Sequence, residues 1–308
     1  IKMLHVPVLL EESLSYLVSQ QNGNYIDCTY GRGGHTKSIL KLLSNDGFLT
    51  AFDKDRDAYL DSKKIDNSNF EFINSSFKDL EKFFKKNSID GILFDLGTCS
   101  THLDDEKRGF GFKKNGPLDM RFDNTHGFPV SKWLNNANSE EIKEILYKFG
   151  DEKHAKLITE SILDYRKKTK IKTTHELANI ILEIYPEKKI KIHPATKTFQ
   201  ALRIFINNEL EELKIALESA ASVLKKNGII VVISFHSLED RIVKNFFKPK
   251  IKNYPKDIPI NSQKEKKFNS IAKKIRPSSE EILKNKRSRS AIMRVFKKIC
   301  KITFNLWF

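Results

Sequence analysis

The sequence predicts an α/β protein: a parallel, doubly wound sheet, interrupted by a helical insertion and followed by a basic C-terminal stretch. Three observations predict it. Short apolar strands alternate with helical patterns over the first hundred residues. Between Asp104 and Lys197 the alternation stops and only helical patterns occur. Strand character then returns at Gly228–Ser234.

The elements follow in order. Val8–Val18 carries apolar residues at helical spacing. Asn24–Thr29 is strand-like and runs into Gly31-Arg32-Gly33-Gly34-His35, and Thr36–Leu43 reads as a helix. Gly47–Phe52 is a second apolar strand ending at Asp53. Arg56–Lys64 is helical, Phe70–Asn74 a short strand and Phe77–Lys85 a helix. Ile89–Leu96 holds the continuous apolar run Gly91–Phe94 and reads as a strand buried on both faces. In the insertion, helices are expected at Val130–Asn136, Ser139–Phe149, Glu152–Lys168 and Thr174–Tyr185, the last ended by Pro186. A single long helix is expected where Phe199, Leu202, Ile206, Leu210, Leu213 and Leu217 recur at three- and four-residue steps. Residues 249–287 hold Pro249, Pro255, Pro259 and Pro277 among many lysines and read as loop. The expected division is therefore residues 1–103 and 198–308 for a discontinuous sheet domain, with 104–197 inserted as a helical substrate-recognition domain.

Composition excludes several classes. The 308 residues are 39% hydrophobic and 31% charged, enough apolar material for a core and too much for wholesale disorder. The longest apolar runs, such as Gly228–Phe235, fall far short of the roughly 20 residues that span a bilayer. The start, Ile-Lys-Met-Leu-His-Val-Pro, lacks the pattern of a signal peptide. Cys28, Cys99 and Cys300 are odd in number and scattered, which argues against a disulfide framework and for a reducing cytoplasm. No histidine or cysteine cluster has zinc spacing, so no metal is expected.

Charge is unevenly placed. Of the net +16, residues 244–301 alone contribute +15, with 19 Lys/Arg against 4 acids. Residues 1–103 are slightly acidic, with 12 against 14. A polyanionic partner accounts for such a block, because phosphates binding it release counterions. A solvated lysine-rich surface is the alternative.

Asp27-Cys28-Thr29-Tyr30-Gly31-Arg32-Gly33-Gly34-His35 follows a strand and opens a helix. Glycines there let backbone approach a ligand. Asp53 ends the next strand, where a carboxylate can accept hydrogen bonds from both ribose hydroxyls. The dinucleotide fingerprint G-x-G-x-x-G is absent, as is the Walker lysine. S-adenosylmethionine has no phosphate and carries a cationic sulfonium that favours surrounding acids. Asp27, Asp53 and Asp95 all fall at expected strand ends, which favours methyl transfer over hydride transfer. A nicotinamide-dependent dehydrogenase is disfavoured by the missing fingerprint, and a non-catalytic RNA-binding module by those clustered acids.

Several blocks carry a more specific resemblance. They are His5-Val6-Pro7-Val8-Leu9-Leu10-Glu11-Glu12, the Asp27 to His35 turn, Phe94-Asp95-Leu96-Gly97, Arg108-Gly109-Phe110 and Gly116-Pro117-Leu118-Asp119-Met120-Arg121. They continue with the run His193 to Ile204, Ser234-Phe235-His236-Ser237-Leu238-Glu239-Asp240-Arg241 and Asn285 with Arg287-Ser288-Arg289-Ser290-Ala291. In this order, from about His5 to Arg294, they resemble the MraW/RsmH family, bacterial methyltransferases acting on the exocyclic N4 amine of a cytidine in 16S ribosomal RNA. The resemblance implies a Rossmann-like class I S-adenosylmethionine-dependent methyltransferase domain, with 16S rRNA of the small ribosomal subunit as partner. It implies that Gly33, Gly34 and His35 line the methionine end of the cofactor, that Asp53 holds the ribose, that Phe77 stacks near the adenine, and that Asp95 sits close to the reacting centre. One block departs. Where the family usually reads Asp-Leu-Gly-Val-Ser-Ser-Pro-Gln-Leu-Asp, this chain has Asp95-Leu96-Gly97-Thr98-Cys99-Ser100-Thr101-His102-Leu103-Asp104. His102 replaces a glutamine expected to touch the cofactor, and an imidazole cannot offer both ends of an amide.

The chemistry needs little covalent machinery. A cytosine amine is a poor nucleophile because its lone pair is delocalised, so alignment for in-line displacement carries much of the catalysis. Asp95, or backbone carbonyls just after it, can accept from the amine and take its proton. A cofactor-only contact for Asp95 is the equal alternative. His236 and Asp240 suggest a hydrolase dyad, but no G-x-S-x-G elbow accompanies them. Lys197, Arg203 and Arg241 are candidate phosphate contacts, or else pair with Glu209, Glu211 or Glu239. Cys99 lies in the same block as Asp95, but an amine target needs no covalent intermediate.

Overall fold

The computed structural model describes residues 7–185, 193–249 and 267–299. His5, Pro186, Cys300 and the stretch containing Pro255 and Pro259 lie outside them. The chain forms two compact units, residues 1–97 with 210–308, and residues 98–209. The boundaries thus fall at 97/98 and 209/210, against the 103/104 and 197/198 read from the sequence. The difference is one short helix, Ser100–Asp104, and one long one, Ala195–Ile206, both in the second unit.

The first unit is built on a seven-stranded sheet. Its strands are β1 Asn24–Asp27, β2 Phe48–Phe52, β3 Phe70–Ile73, β4 Ile89–Asp95, β5 Leu224–Ser234, β6 Phe268–Ile275 and β7 Ile292–Lys298. The order is β3-β2-β1-β4-β5-β7-β6. β1 to β5 run parallel, and β7 is antiparallel to both β5 and β6. This is the Rossmann-like, doubly wound arrangement expected from the first hundred residues.

Alternation along each strand serves two cores, because successive side chains point to opposite faces. On one face Ile26, Ile92, Phe94, Ile230 and Val232 pack with Leu213 and Leu217 of the helix Glu209–Val223 and with Val243 and Phe247 of the helix Ser237–Phe247. On the other, Tyr25, Leu93, Val231 and Ile233 pack with Leu14 and Leu17 of the helix Leu10–Leu17 and with Ile39 of the helix Gly34–Leu40. Each such side chain, fully buried, stabilises the fold by about 1.5–3 kcal/mol. Burial on both faces is why β4 shows no polar alternation in sequence.

Two expectations fail here. Residues 249–287 are not all loop, since β6 and the helix Ser279–Lys284 lie within them. β6 shifts register between Ser270 and Ala272 and again before Ile275, and its residues Phe268, Ala272 and Ile275 are unevenly spaced. A bulged, lysine-bearing edge strand hides the two-residue period that sequence reading relies on. The expected helix Phe77–Lys85 is a turn of 3-10 helix, Phe77–Asp79, followed by one turn, Leu80–Phe83.

The second unit is helical, with Val130–Leu134, Ser139–Gly150, Ala155–Lys168, Thr174–Leu182 and Ala195–Ile206 around a core that includes Leu118, Leu134, Ile158, Leu177 and Leu202. Capping boxes at Asn138 with Glu141 and at Thr173 with Glu176 start two of these helices. The single long helix expected across Phe199 to Leu217 is two helices, Ala195–Ile206 and Glu209–Val223. Asn208 is left-handed, with φ 51°, and breaks the run. Asn207 turns its amide inward, donating to Met120 O at 2.7 Å and accepting from Phe122 N at 2.8 Å. The apolar spacing crosses the break in step, so it does not reveal it. No helix among the described residues is long and apolar enough to cross a membrane.

Candidate active site

The chain leaves β1 toward β2 on one side while β4 pairs β1 on the other, so the sheet has its switch point between β1 and β4. Open parallel sheets bind ligands beyond their carboxyl ends at such a point. Asp27 ends β1 and Asp95 ends β4, and Asp53 directly follows β2.

Asp27 is fully buried and already engaged. Its carboxylate accepts from Thr29 N at 3.1 Å and from Thr36 Oγ1 at 2.7 Å. Thr29 Oγ1 in turn accepts from Asp95 N at 2.7 Å, so the end of β1 fixes the end of β4. Burial raises the Asp27 pKa, opposed by the charge of His35 and by the hydrogen bonds of Thr36 and Thr29.

The glycine turn sets where the next helix begins. Gly33 has φ 70°, and a Cβ there would meet the Tyr30 ring at 2.7 Å. A Cβ on Gly34 would meet Pro7 Cγ at 2.3 Å. Only glycine fits either place, and the helix Gly34–Leu40 therefore starts with His35 buried at the edge of the sheet.

His35 Nε2 lies 3.5 Å from Asp95 Oδ2, and His35 Nδ1 lies 3.4 Å from Ser13 Oγ. Burial disfavours the imidazolium, but Asp95 and then Asp27 outweigh it, so the His35 pKa is raised. His35 Nε2 and Asp95 Oδ1 are both buried atoms with no hydrogen-bond partner. Buried polar atoms in native proteins are nearly always satisfied, so a pair of orphans at a sheet switch point marks the place of a polar ligand. Asp53 Oδ2 accepts from Gly31 N and Oδ1 from Asp55 N, both at 2.9 Å. A carboxylate oxygen can accept more than one hydrogen bond, which suits Asp53 to a ribose hydroxyl. Phe77 meets Phe94 edge-on, with ring centroids 5.8 Å apart, and is only partly buried.

The first unit thus holds Gly33, Gly34, His35, Asp53, Phe77 and Asp95, while His102 belongs to the second. His102 is buried, stacked on Phe110 with centroids 5.0 Å apart, and has Nδ1 3.2 Å from Cys99 Sγ.

Sequence reading did not single out Glu281. Its Oε1 accepts from Leu9 N at 2.9 Å, tying the helix Ser279–Lys284 to a residue 272 positions earlier. Burial raises the Glu281 pKa, and Glu12 and Asp95 add to the rise. Ser278 with Glu281 forms the Ser-x-x-Glu signal of a helix start, but no local pattern encodes the distant contact.

Other candidates have structural partners. His236 and Glu239 form the capping box of the helix Ser237–Phe247, and Asp240 pairs with Arg294 through two contacts of 2.6 and 3.1 Å. Arg203 pairs with Glu209 through two contacts of 2.8 and 3.0 Å, and Lys197 Nζ donates to Asp151 O at 2.9 Å.

Residues 2–299 match the family model of the MraW methylase family. The chain belongs to that family. It is 47% identical over 303 residues to a protein of Buchnera aphidicola subsp. Cinara cedri named ribosomal RNA small subunit methyltransferase H, covering 95% of this chain and 99% of the relative. Proteins of the same name from Caldicellulosiruptor saccharolyticus and Coxiella burnetii are 47% and 41% identical, each covering 96% of this chain and 99% of the relative. The chain is thus a methylase, and its cofactor is S-adenosylmethionine. The residues present fit that group. The orphaned Asp95 Oδ1 can receive the cofactor's ammonium, the Asp53 carboxylate suits its ribose, and the acids at the strand ends suit a sulfonium.

Proposed function

We propose that this MraW-family chain transfers a methyl group from S-adenosylmethionine to the exocyclic N4 amine of a cytidine in 16S ribosomal RNA of the small subunit. One observation carries the reading. An imidazole stands 3.5 Å from one oxygen of an acid whose other oxygen is buried without a hydrogen-bond partner, at the switch point of the sheet. The curated relatives' names support the ribosomal RNA substrate.

When bound, the cofactor supplies a methyl group activated by a positively charged sulfur. In the proposed mechanism the Asp95 backbone is held by Thr29, which fixes where its side chain starts. His35 stands at one carboxylate oxygen and leaves the other open. A carboxylate oxygen has two lone pairs, so beside the cofactor's ammonium that open oxygen would accept a hydrogen bond from the target amine and take its proton as the methyl passes to nitrogen and the carbon–sulfur bond breaks. Gly33 and Gly34 let backbone approach the methionine end, Asp53 holds the ribose and Phe77 packs beside the adenine.

The helical unit, residues 98–209, is read as the part that presents an unstacked cytidine. The basic C-terminal region, partly outside the described residues, supplies phosphate contacts that position RNA without reading bases. Such work is cytoplasmic, where the small subunit is assembled.

The test is direct. Purified protein, S-adenosylmethionine and small subunits from cells lacking this protein are incubated, and the RNA is digested to nucleosides for mass spectrometry. One added methyl on a cytidine amine is expected. A methyl on ring carbon or ribose oxygen would replace this reading.

A further inference from the structure

The second unit holds Cys99, a reactive group that methyl transfer does not use, beside His102. Cys99 immediately precedes the helix Ser100–Asp104, and His102 lies three residues on, where the turn brings side chains onto one face. His102 N donates to Cys99 O at 3.1 Å and fixes that turn. Cys99 Sγ lies 3.2 Å from His102 Nδ1 and 3.0 Å from Thr101 Oγ1. The imidazole is clamped, stacked on Phe110 and tilted against Phe122 at 5.1 Å, while Cys99 itself is half-buried and reachable. Cys99, Thr101 and His102 fall in the block that departs from the resembled pattern. The departures together build a thiol, its base and a hydroxyl that bridges to it.

We propose that Cys99, activated by His102, is a site of covalent modification by small electrophiles, with peroxide as the physiological class. The thiolate attacks one oxygen of the peroxide. A sulfur–oxygen bond forms and the oxygen–oxygen bond breaks. Hydroxide leaves and takes a proton from the His102 imidazolium to become water. The sulfur is oxidised by two electrons to a sulfenic acid and the peroxide is reduced. Electrostatics agree with the geometry. Burial works against the Cys99 thiolate, but the hydrogen bond and charge of His102, with help from Thr101, lower its pKa below the ordinary thiol value. Cys28 provides the contrast within the same chain. It is buried, and burial together with Asp27 pushes its thiol well above that value.

The experiment follows the rate of alkylation by iodoacetamide at each cysteine of the intact protein across pH, read by peptide mass, with free cysteine alongside. The Cys99 rate is expected to reach its midpoint at lower pH than free cysteine, with Cys28 unlabelled. His102→Gln should move the Cys99 midpoint upward. Hydrogen peroxide followed by dimedone should then tag Cys99 and leave Cys28 untouched. A Cys99 midpoint at or above that of free cysteine overturns the proposal, as does a folded His102→Gln variant with an unmoved midpoint. Should that variant fail to fold, the wild-type profile and the dimedone tag decide alone. An untagged Cys99 under peroxide that does oxidise free cysteine also rejects the assignment.

Discussion

The two units treat polar groups differently. In residues 98–209 several buried or half-buried polar side chains end on backbone. Asn207 bridges Met120 O and Phe122 N, Arg108 donates to Phe122 O at 2.8 Å, and Arg166 donates to Leu134 O at 2.7 Å. These bonds close the loops between short helices. At the carboxyl edge of the sheet, by contrast, Asp27 closes its own turn, His35 Nε2 meets only Asp95 Oδ2 at 3.5 Å, and Asp95 Oδ1 has no hydrogen-bond partner. Leaving a buried polar atom unsatisfied costs about 1–3 kcal/mol, which a fold accepts where a ligand supplies the missing partner. Glu152 Oε2 and Thr198 Oγ1 in the second unit also lack hydrogen-bond partners, so it is position beyond the strand ends, together with an open acid, that marks groups awaiting chemistry.

Three variants sharpen or break that contrast. Asp53→Ala removes a charged acceptor for ribose hydroxyls, each such hydrogen bond contributing roughly 1.5–3 kcal/mol. Calorimetry should therefore show S-adenosylmethionine affinity falling by at least tenfold. Unaltered affinity would place the ribose elsewhere. Asn207→Ala should act on stability instead, because it strands Phe122 N–H and Met120 O. A loss of about 1–3 kcal/mol is expected in denaturant titration, with cofactor affinity unchanged. Were cofactor affinity to fall with it, the division between holding and awaiting groups would fail.

The smallest effect concerns pH. His35 has a raised pKa, so its ion pair contributes stability fully below about pH 6.5, its ordinary value, and loses it as pH rises through the folded value. The stability difference between wild type and His35→Gln, followed by thermal melts from pH 5.5 to 9, should be greatest at the acid end and shrink toward alkali. A difference that grows with pH would show that the imidazole is buried neutral.

Much of this was legible in the sequence because it is local. The parallel strands, the glycine turn and Asp27, Asp53 and Asp95 at strand ends all lie within continuous segments, and apolar periodicity alone assigns them. What escaped is non-local or aperiodic. Asn207 and Asn208 interrupt a helix without disturbing its apolar spacing. β6 is an edge strand with two register shifts, so its pattern resembles a lysine-rich loop. Glu281 reaches Leu9 only because β7 runs back beside β5 and returns the C-terminal segment to the sheet. Arg203 reads equally well as a phosphate contact or a structural ion pair until Glu209 is seen beside it. His102 could be flagged as a departure, but its stacking on Phe110 and its contact with Cys99 depend on how the loop folds.

The central claim is that Asp95 assists the amine as well as holding the cofactor. It is tested most directly by single-turnover methyl transfer to small-subunit RNA with S-adenosylmethionine saturating, comparing wild type with Asp95→Asn. Asparagine keeps the shape but cannot take the proton. Proton transfer by a positioned group contributes about 10²–10⁴ in rate, so a fall of at least a hundredfold at saturating cofactor is predicted. A variant that recovers wild-type turnover once cofactor is saturating would contradict the account and leave Asp95 as a cofactor ligand alone.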